Sequence, residues 1–377
     1  MLPPAVADDP TRLSESDLGR ASAAGIRLVG RGASIRPTNP HERVRREEDL
    51  EHFATSGEVL PRRVPTTVGE DRSRSIVNHN ESPDLPFRWS VNPYRGCEHG
   101  CSYCYARLTH EFLGNDAGVG FETHLLAKHD APELFRKWLA RPAWQPEPIV
   151  FSGVTDCYQP VERELQITRG CLEVAAECRQ PIGIVTKNAL VTRDIDLLTQ
   201  LAKHRAVVVG VSLTTLDAEL ARRMEPRTSC PTARLEAIAE LTAAGIPTHA
   251  MIAPVIPGLN DEEIPALLSA ARDAGAASAS YTLLRLSGSV SDVFLDWLRR
   301  SEPLKARRVE ALVRGTRGGR LNDTRFGARM TGVGPYAGQV ARTFRVFAQR
   351  EGLKRTPDPL RADAFRPPSG DRQLPLF

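Results

Sequence analysis

Apolar runs of strand length alternate with helical segments through residues 85–300, and this alternation limits the fold more than any other feature. The runs lie at 89–92, 148–154, 182–187, 206–213, 248–255 and 278–286. Segments with helical spacing lie between or after them, at 131–141, 162–178, 193–204, 232–244, 261–275 and 289–300. Continuous apolar strands alternating with helices of about 10–15 residues are typical of parallel βαβ units. The sequence therefore predicts an α/β fold with about six units, too few for a complete eight-stranded barrel.

Local signals mark two of the helix ends. Thr192 precedes the segment 193–204 and is a residue type that often caps a helix amino terminus. Gly245 follows the segment 232–244, where glycine can adopt the left-handed conformation that ends a helix.

The chain divides into four regions by composition. Residues 1–80 are polar and charged, and we expect a largely disordered extension there, with one helical candidate at 44–54. Residues 81–300 form the predicted core, 301–350 a basic helical region, and 351–377 a proline-rich, disordered tail.

Charge is distributed unevenly along the chain. The net charge is +4, but Arg299 to Phe377 holds 18 lysines and arginines against 7 acidic residues, a net charge of +11. Such a basic region predicts a polyanionic partner, with a solvated arginine-rich surface as the alternative.

The cellular location follows from composition. No apolar run approaches the length of a membrane span, and the first residues, MLPPAVADDP, lack the basic and apolar regions of a secretory signal. Seven cysteines, three of them clustered, suit a reducing compartment better than a disulfide framework. We therefore expect a cytoplasmic protein without a membrane partner.

Residues 97–104, CEHGCSYC, carry the strongest functional signal. Cys97, Cys101 and Cys104 are separated by three and then two residues. Thiolates suit iron–sulfur clusters and zinc. Three of them can hold three irons of a [4Fe–4S] cluster and leave the fourth iron open to a substrate. The alternative is a structural zinc site with His99 or His110 as the fourth ligand.

This motif, with an aromatic residue before its last cysteine, resembles that of the radical S-adenosylmethionine superfamily. Cys101, Tyr103, Cys104 and Tyr105 resemble the spore photoproduct lyase branch more closely still. The resemblance implies a partial, crescent-shaped (β/α)6 TIM-like barrel. It also implies a [4Fe–4S] cluster, S-adenosylmethionine and a flavodoxin- or ferredoxin-like electron donor. In that superfamily one electron cleaves the cofactor into methionine and a 5′-deoxyadenosyl radical, which abstracts a substrate hydrogen.

The resemblance also implies cofactor contacts at the carboxyl ends of the strands. The segment 152–156 would receive the methionine end of the cofactor, with Thr155–Asp156 in place of the Ser–Asp pair of the lyase branch. The remaining cofactor-binding residues implied by the resemblance are Tyr103, Gly153, Lys187, Ser212 and Ala253. Lys187 would pair with the cofactor carboxylate.

One departure from the lyase concerns the return of hydrogen. The lyase has a cysteine in the turn after the second strand, where this chain has Gly153. Cys157 lies a few residues later, and we expect Cys157 or the tyrosines Tyr103 and Tyr105 to supply that hydrogen.

The last residues, QLPLF, resemble the pentapeptide that binds bacterial sliding clamps. The anchors would be Gln373, Leu374, Leu376 and Phe377, on a tail suited to an extended peptide in an apolar pocket. We therefore expect a sliding clamp as a partner.

The favoured hypothesis is a lyase-like radical enzyme acting on nucleic acid, as in DNA repair. Two alternatives remain open. One is radical modification of a protein or small molecule, and the other is a non-enzymatic, metal-containing DNA-binding module.

Overall fold

The computed structural model describes residues 30–41 and 64–368. Its main sheet contains six parallel strands and one antiparallel edge strand, in the order β10-β9-β8-β7-β6-β3-β2. Their bounds are β2 Val77–His79, β3 Trp89–Val91, β6 Ile149–Phe151, β7 Ile182–Thr186, β8 Val207–Ser212, β9 Thr248–Val255 and β10 Ser278–Leu283. The predicted partial barrel of six parallel strands is confirmed, with strands one to three residues shorter than predicted in most cases.

The parallel register brings the strand ends that carry polar residues to one edge of the sheet. Ile182 of β7 pairs with Ile149 of β6 and with Val207 of β8, and Ser212 of β8 pairs with Met251 of β9. Because all six strands run the same way, the loops after them meet at one end of the barrel, where active sites of such folds form.

Helices follow the strands and cover the outside of the sheet. Those between or beside the core strands are α1 Leu108–Glu111, α2 Val119–Thr123, α3 Ala131–Leu139, α4 Glu162–Leu165, α5 Ile167–Cys178, α6 Ile195–Ala202, α7 Ala218–Met224, α8 Pro231–Ala243, α9 Ile264–Asp273 and α10 Val290–Ser301. The C-terminal region adds α11 Ala306–Gly315, α12 Ala328–Thr331 and α13 Gly334–Arg350.

Two helix predictions were wrong in detail. Gln166, at φ 51°, divides the predicted helix 162–178 into α4 and α5. A 3-10 turn over Ala189–Asp194 precedes α6, and its cap is the Asn188 side chain, which accepts from Leu190 N at 3.0 Å. The Thr192 hydroxyl instead donates to Ala189 O at 3.1 Å, so Thr192 is not the predicted N-cap. Gly245 has the predicted positive φ, 75°.

The core lies between the sheet and its helices. Phe135 of α3 and Phe151 of β6 meet edge to face at 6.0 Å, and Phe344 of α13 packs on Tyr281 of β10 at 4.8 Å. The C-terminal helix α13 therefore covers the β10 edge and belongs to the same core.

A second, smaller sheet supports the cysteine loop. It has the order β1-β5-β4, with β1 Thr67–Glu70, β4 Tyr94–Arg95 and β5 His124–Ala127. β1 pairs with β5 in parallel, and β4 pairs with β5 antiparallel. The pairing of β4 with β5 therefore fixes the point at which the cysteine loop begins.

The expected disorder at both ends differs from the structure over the described residues. Residues 64–80 include β1 and β2, and Ala33 in the segment 30–41 is buried. At the other end, Leu353 is buried and Arg366 N donates to Cys178 O at 2.8 Å. The helix predicted at 44–54 and the clamp-binding motif at 373–377 lie outside the described residues. Over the residues with assigned structure, no helix has the length and apolarity to cross a membrane.

Candidate active site

The three cysteines lie on two consecutive turns after β4. Gly100 N donates to Cys97 O, and Cys104 N donates to Cys101 O, each at 3.3 Å. Cys97 and Cys101 are buried, whereas Cys104 is half-buried. Each turn brings the chain back toward its start, so the thiols share one loop at the open end of the barrel.

The surroundings of this loop disfavour free thiolates. Burial, followed by the nearby Cys97, raises the pKa of Cys104 to about 11. Burial, followed by Glu225, also raises the pKa of Cys101. A bound cation reverses such a shift, because metal ligation favours the thiolate.

A single zinc ion fits the described residues poorly. Within 30–41 and 64–368, no three cysteine, histidine or acidic side chains converge closely enough to hold one metal ion. A [4Fe–4S] cluster makes a different demand, since each cysteine binds a different iron. Cys97, Cys101 and Cys104 are three free thiols, the donor type that holds such a cluster.

Each histidine proposed as a zinc ligand contacts another residue through one ring nitrogen, and Nδ1 of His110 is buried without a hydrogen-bond partner among the described residues. His99 Nδ1 lies 3.4 Å from Asp156 Oδ2, and burial of His99 is outweighed by Asp156, which raises its pKa to about 10. His110 Nε2 lies 2.8 Å from His124 O.

Arg107 fixes the conformation of the cysteine loop. Its side chain is fully buried, with Nε donating to Cys101 O at 3.0 Å and Nη2 donating to Gly100 O at 3.2 Å. The same guanidinium is paired with the buried carboxylate of Glu122. One arginine thus fixes two carbonyls of the loop, and because its charge is paired it can remain buried.

A segment of the N-terminal region closes over this arrangement. We call residues 30–34 (GRGAS) the strap. Gly32 N and Ala33 N donate to the Glu122 carboxylate at 3.0 and 2.8 Å. A Cβ on Gly32 would lie 1.9 Å from Gly100 O, so only glycine allows this approach. Sequence reasoning missed the strap because no periodic pattern marks it.

Lys187 lies at the carboxyl end of β7 in a polar cage. Its Nζ donates to Ala253 O at 3.0 Å and to Thr214 Oγ1 at 3.1 Å, lies 3.3 Å from Glu225 Oε1, and sits 5.7 Å from the Tyr103 ring centre. The structure therefore brings together three residues implied by the resemblance, namely Tyr103, Lys187 and Ala253.

Glu225, which follows α7, is the centre of this cage and was not predicted. It accepts from the Tyr103 hydroxyl and from Thr214 Oγ1, and it is paired with Arg234 as well as Lys187. Burial alone would raise the pKa of Glu225, but Arg234 and then Lys187 outweigh it and hold the pKa well below its usual range.

Ser212 joins the cage indirectly. Arg234 Nη1 donates to Ser212 O at 3.0 Å, which links the end of β8 to Glu225. Glu225 and Arg234 are nine residues apart, and Arg234 lies in α8, beyond an intervening loop. No sequence pattern indicated that they form a pair.

The turn after β6 ties the strand end to the cysteine loop. Asp156 accepts from Thr186 Oγ1 and Lys187 N, both at 2.8 Å. Thr155 Oγ1 accepts from Gln159, whose Oε1 accepts from Glu98 N at 2.8 Å. The Asp156 carboxylate thus joins the turn after β6 to the end of β7, and it also accepts from Tyr158 N.

Tyr105 and Cys157, two of the three residues expected to return hydrogen, occupy different environments. Tyr105 is 52 % exposed, and its hydroxyl donates to Gly153 O at 2.9 Å. Cys157 is fully buried in the main core, and burial raises the pKa of its thiol well above the ordinary value. The structure brings Tyr105 and Gly153 together, whereas Cys157 belongs to the core, with its backbone N donating to Ser152 Oγ at 2.9 Å.

Comparison with known proteins identifies the family to which the fold belongs. The sequence model of the Radical SAM superfamily matches residues 91–271. An uncharacterized protein of Mycobacterium tuberculosis, Rv2578c, is 39 % identical over 232 residues, which are 61 % of this chain and 68 % of that protein. An uncharacterized protein of Methanocaldococcus jannaschii, MJ0683, is 30 % identical over 51 % of this chain and 69 % of that protein.

Solved structures show the same fold. Spore photoproduct lyase complexed with dinucleoside spore photoproduct superimposes with a TM-score of 0.56 at 16 % identity, covering 76 % of this chain and 80 % of that one. A mutant form of that lyase with bound AdoMet gives a TM-score of 0.53 at 15 % identity over the same shares of each chain.

Proposed function

This chain belongs to the radical S-adenosylmethionine superfamily, and we propose that it acts on nucleic acid. Membership makes it an enzyme that uses a [4Fe–4S] cluster and S-adenosylmethionine and that needs an electron donor. The cofactors, when bound, supply a 5′-deoxyadenosyl radical for hydrogen abstraction. The reaction that the fold likeness favours is a lyase-like repair of modified DNA.

The observation that carries the nucleic-acid proposal is the position of the basic C-terminal region. Residues 317–330 contain four arginines and one aspartate. Arg317 donates to Leu283 O at 3.2 Å and to Leu284 O at 2.7 Å, at the carboxyl end of β10. The arginine-rich segment therefore lies at the end of the barrel that carries the cysteine loop, where a polyanion can meet the site.

The chain's own residues supply the remaining functions. Arg107 and the strap hold the cysteine loop, and Lys187, at the end of β7, would pair with the cofactor carboxylate. Tyr103, Ser212 and Ala253 form the surrounding wall, with Gly153 and Thr155 at the methionine end. Tyr105, exposed beside Cys104, is the favoured group for returning hydrogen to the product.

The test is hydrogen transfer from nucleic acid. Anaerobic enzyme, S-adenosylmethionine and dithionite are incubated with deuterated oligodeoxynucleotides, both intact and ultraviolet-irradiated. We expect nucleic acid to accelerate 5′-deoxyadenosine formation and deuterium to appear in that product. Cofactor cleavage that neither the intact nor the irradiated DNA accelerates, with no deuterium transfer, would contradict the proposal and favour a protein or small molecule as substrate.

A further inference from the structure

Arg285 lies two residues beyond β10 and lacks an acidic partner among the described residues. Its Nη1 contacts Met330 Sδ at 3.3 Å, and a thioether is a weak acceptor. Its Nε is buried without a hydrogen-bond partner in the described part of the chain. A guanidinium has five donors in a fork that matches phosphate, so most of its binding capacity is unused here.

The surroundings of Arg285 are positive. Arg329 lies close enough to lower the pKa of Arg285, second to burial. The nearby acid, Asp84, is already engaged, because it accepts from Gly327 N at 2.6 Å and pairs with Arg329. Arg317 is a further nearby cation, and the charge of Arg285 lowers its pKa after burial. The Arg317 guanidinium donates to the backbone carbonyls of Ala328 and Leu284. Asp84 therefore offsets only part of the charge of Arg285, and no acid in the described part of the chain forms an ion pair with it.

Two exposed aromatic rings flank these arginines. Tyr105 is 52 % exposed, and its ring centre lies 5.9 Å from Arg285 Cζ. Phe326 is 62 % exposed, and Arg329 Cζ lies 4.6 Å from its ring centre. Exposed aromatic rings interleaved with cations are the means by which proteins bind single-stranded nucleic acid, through stacking and phosphate contacts.

The same residues close the gap of the open barrel. Asp84 and Ser82 belong to the loop between β2 and β3, at one edge of the main sheet, and both contact Arg329 beyond β10, at the other edge. Arg285 and Tyr105 thus lie where the two edges meet, beside the cysteine loop.

We infer that Arg285 binds a backbone phosphate of a single-stranded or flipped-out nucleic-acid segment, while Phe326 stacks on one of its bases. This places the neighbouring nucleotide at Tyr105, next to Cys104. The inference rests on the proposed function and names the subsite that would hold its substrate.

The experiment measures binding of a fluorescently labelled, mixed-sequence single-stranded oligodeoxynucleotide to the reconstituted full chain by anisotropy over a range of salt concentrations. Arg285→Gln should weaken binding at least about tenfold, the loss of a charge-assisted hydrogen bond. It should also reduce the slope of log affinity against log salt by about 0.7, the value for one phosphate contact on a single strand. Arg285→Lys should keep the slope, because the charge remains.

Phe326 is tested by a different signature. Phe326→Ala should weaken binding about five- to hundredfold without changing the salt slope, because stacking releases no counterions. Phe326→Trp should bind as the wild type does.

Arg345→Gln is the matched control, because it removes the same charge from an exposed position on α13. It should bind like the wild type, and iron content and melting temperature verify that every variant is folded and loaded. Equal weakening in Arg345→Gln would show diffuse attraction and overturn the subsite. Equal binding of polyglutamate, with the same dependence on Arg285, would also overturn it in favour of an acidic protein.

The two proposals fail in different ways. If the wild type transfers deuterium from DNA while Arg285→Gln and Phe326→Ala bind normally, only the subsite is wrong. If the wild type cleaves the cofactor but neither binds nor reacts with nucleic acid, both proposals are wrong.

Discussion

At the scale of single residues, Glu225 shows how a buried charge organises the site. It is fully buried, yet two cations and two hydroxyls surround its carboxylate. A buried carboxylate is stable only when it is paired and hydrogen-bonded in this way. The consequence is a fixed position for Lys187 and Tyr103 at the carboxyl ends of the strands.

Lys187 gives the first prediction. If its ammonium pairs with the cofactor carboxylate, Lys187→Met should weaken S-adenosylmethionine binding by about 1–3 kcal/mol. Calorimetry on the anaerobically loaded protein measures this directly. Unchanged affinity would remove Lys187 from the cofactor site.

The second prediction separates Tyr105 from Cys157. Tyr105→Phe should slow product formation and alter the product distribution, because it removes an exposed hydroxyl beside Cys104. Cys157→Ser should lower the melting temperature, since it puts a hydroxyl into a fully buried core position, while leaving the product distribution unchanged. The reverse pattern would restore the cysteine as the hydrogen donor.

At the scale of elements, a buried histidine on β9 contacts β10, and its pKa makes the stability of the fold depend on pH. His249 on β9 contacts Ser278 and Ser280 of β10 at 2.8 and 2.7 Å, and burial lowers its pKa to about 4. Because the unfolded chain binds this proton at a higher pH than the folded one, the contribution is fully present above about pH 6.5 and is lost as the pH falls toward 4.

The third prediction follows from that sign. As the pH falls from 6.5 to 4, the free energy of unfolding should decrease more in the wild type than in His249→Gln. The difference should reach about 3 kcal/mol at pH 4. Denaturant unfolding of both proteins at each pH gives the difference, in which the remaining acid-sensitive groups cancel. Parallel stability curves would show that His249 is not held neutral.

The strap gives the fourth prediction. Gly32→Val should displace the strap from Gly100, lower stability by about 1–3 kcal/mol through overpacking, and reduce iron loading. Gly338→Ala in α13 is the control, because its Cβ meets nothing within 4 Å and alanine favours the helix. Full iron content in Gly32→Val would mean that the strap does not hold the loop.

At the scale of the whole molecule, the sequence predicted the repeated part of the fold and missed the parts that depend on distant partners. Strands such as Val207–Ser212 were predictable because buried parallel strands are continuously apolar. β1, all four residues exposed, has no such pattern and forms only by pairing with β5, more than fifty residues later. The strap and the residues after Leu353 likewise owe their positions to tertiary contacts.

The site followed the same division. The three cysteines and Lys187 were predictable because local spacing and strand ends reveal them. Glu225, Arg234, Arg107 and Arg285 were not, because each acts through partners that only the folded barrel brings near.

The most direct test is the cluster itself. Anaerobic reconstitution with iron and sulfide should yield a [4Fe–4S] protein that, with dithionite and S-adenosylmethionine, forms methionine and 5′-deoxyadenosine. Alanine at Cys97, Cys101 or Cys104 should abolish the cluster's EPR signal and the cleavage together, while Cys230→Ala, at an exposed cysteine outside the loop, should change neither. A triple variant that still binds four irons, or a wild type that retains zinc and cleaves no cofactor, would contradict the account.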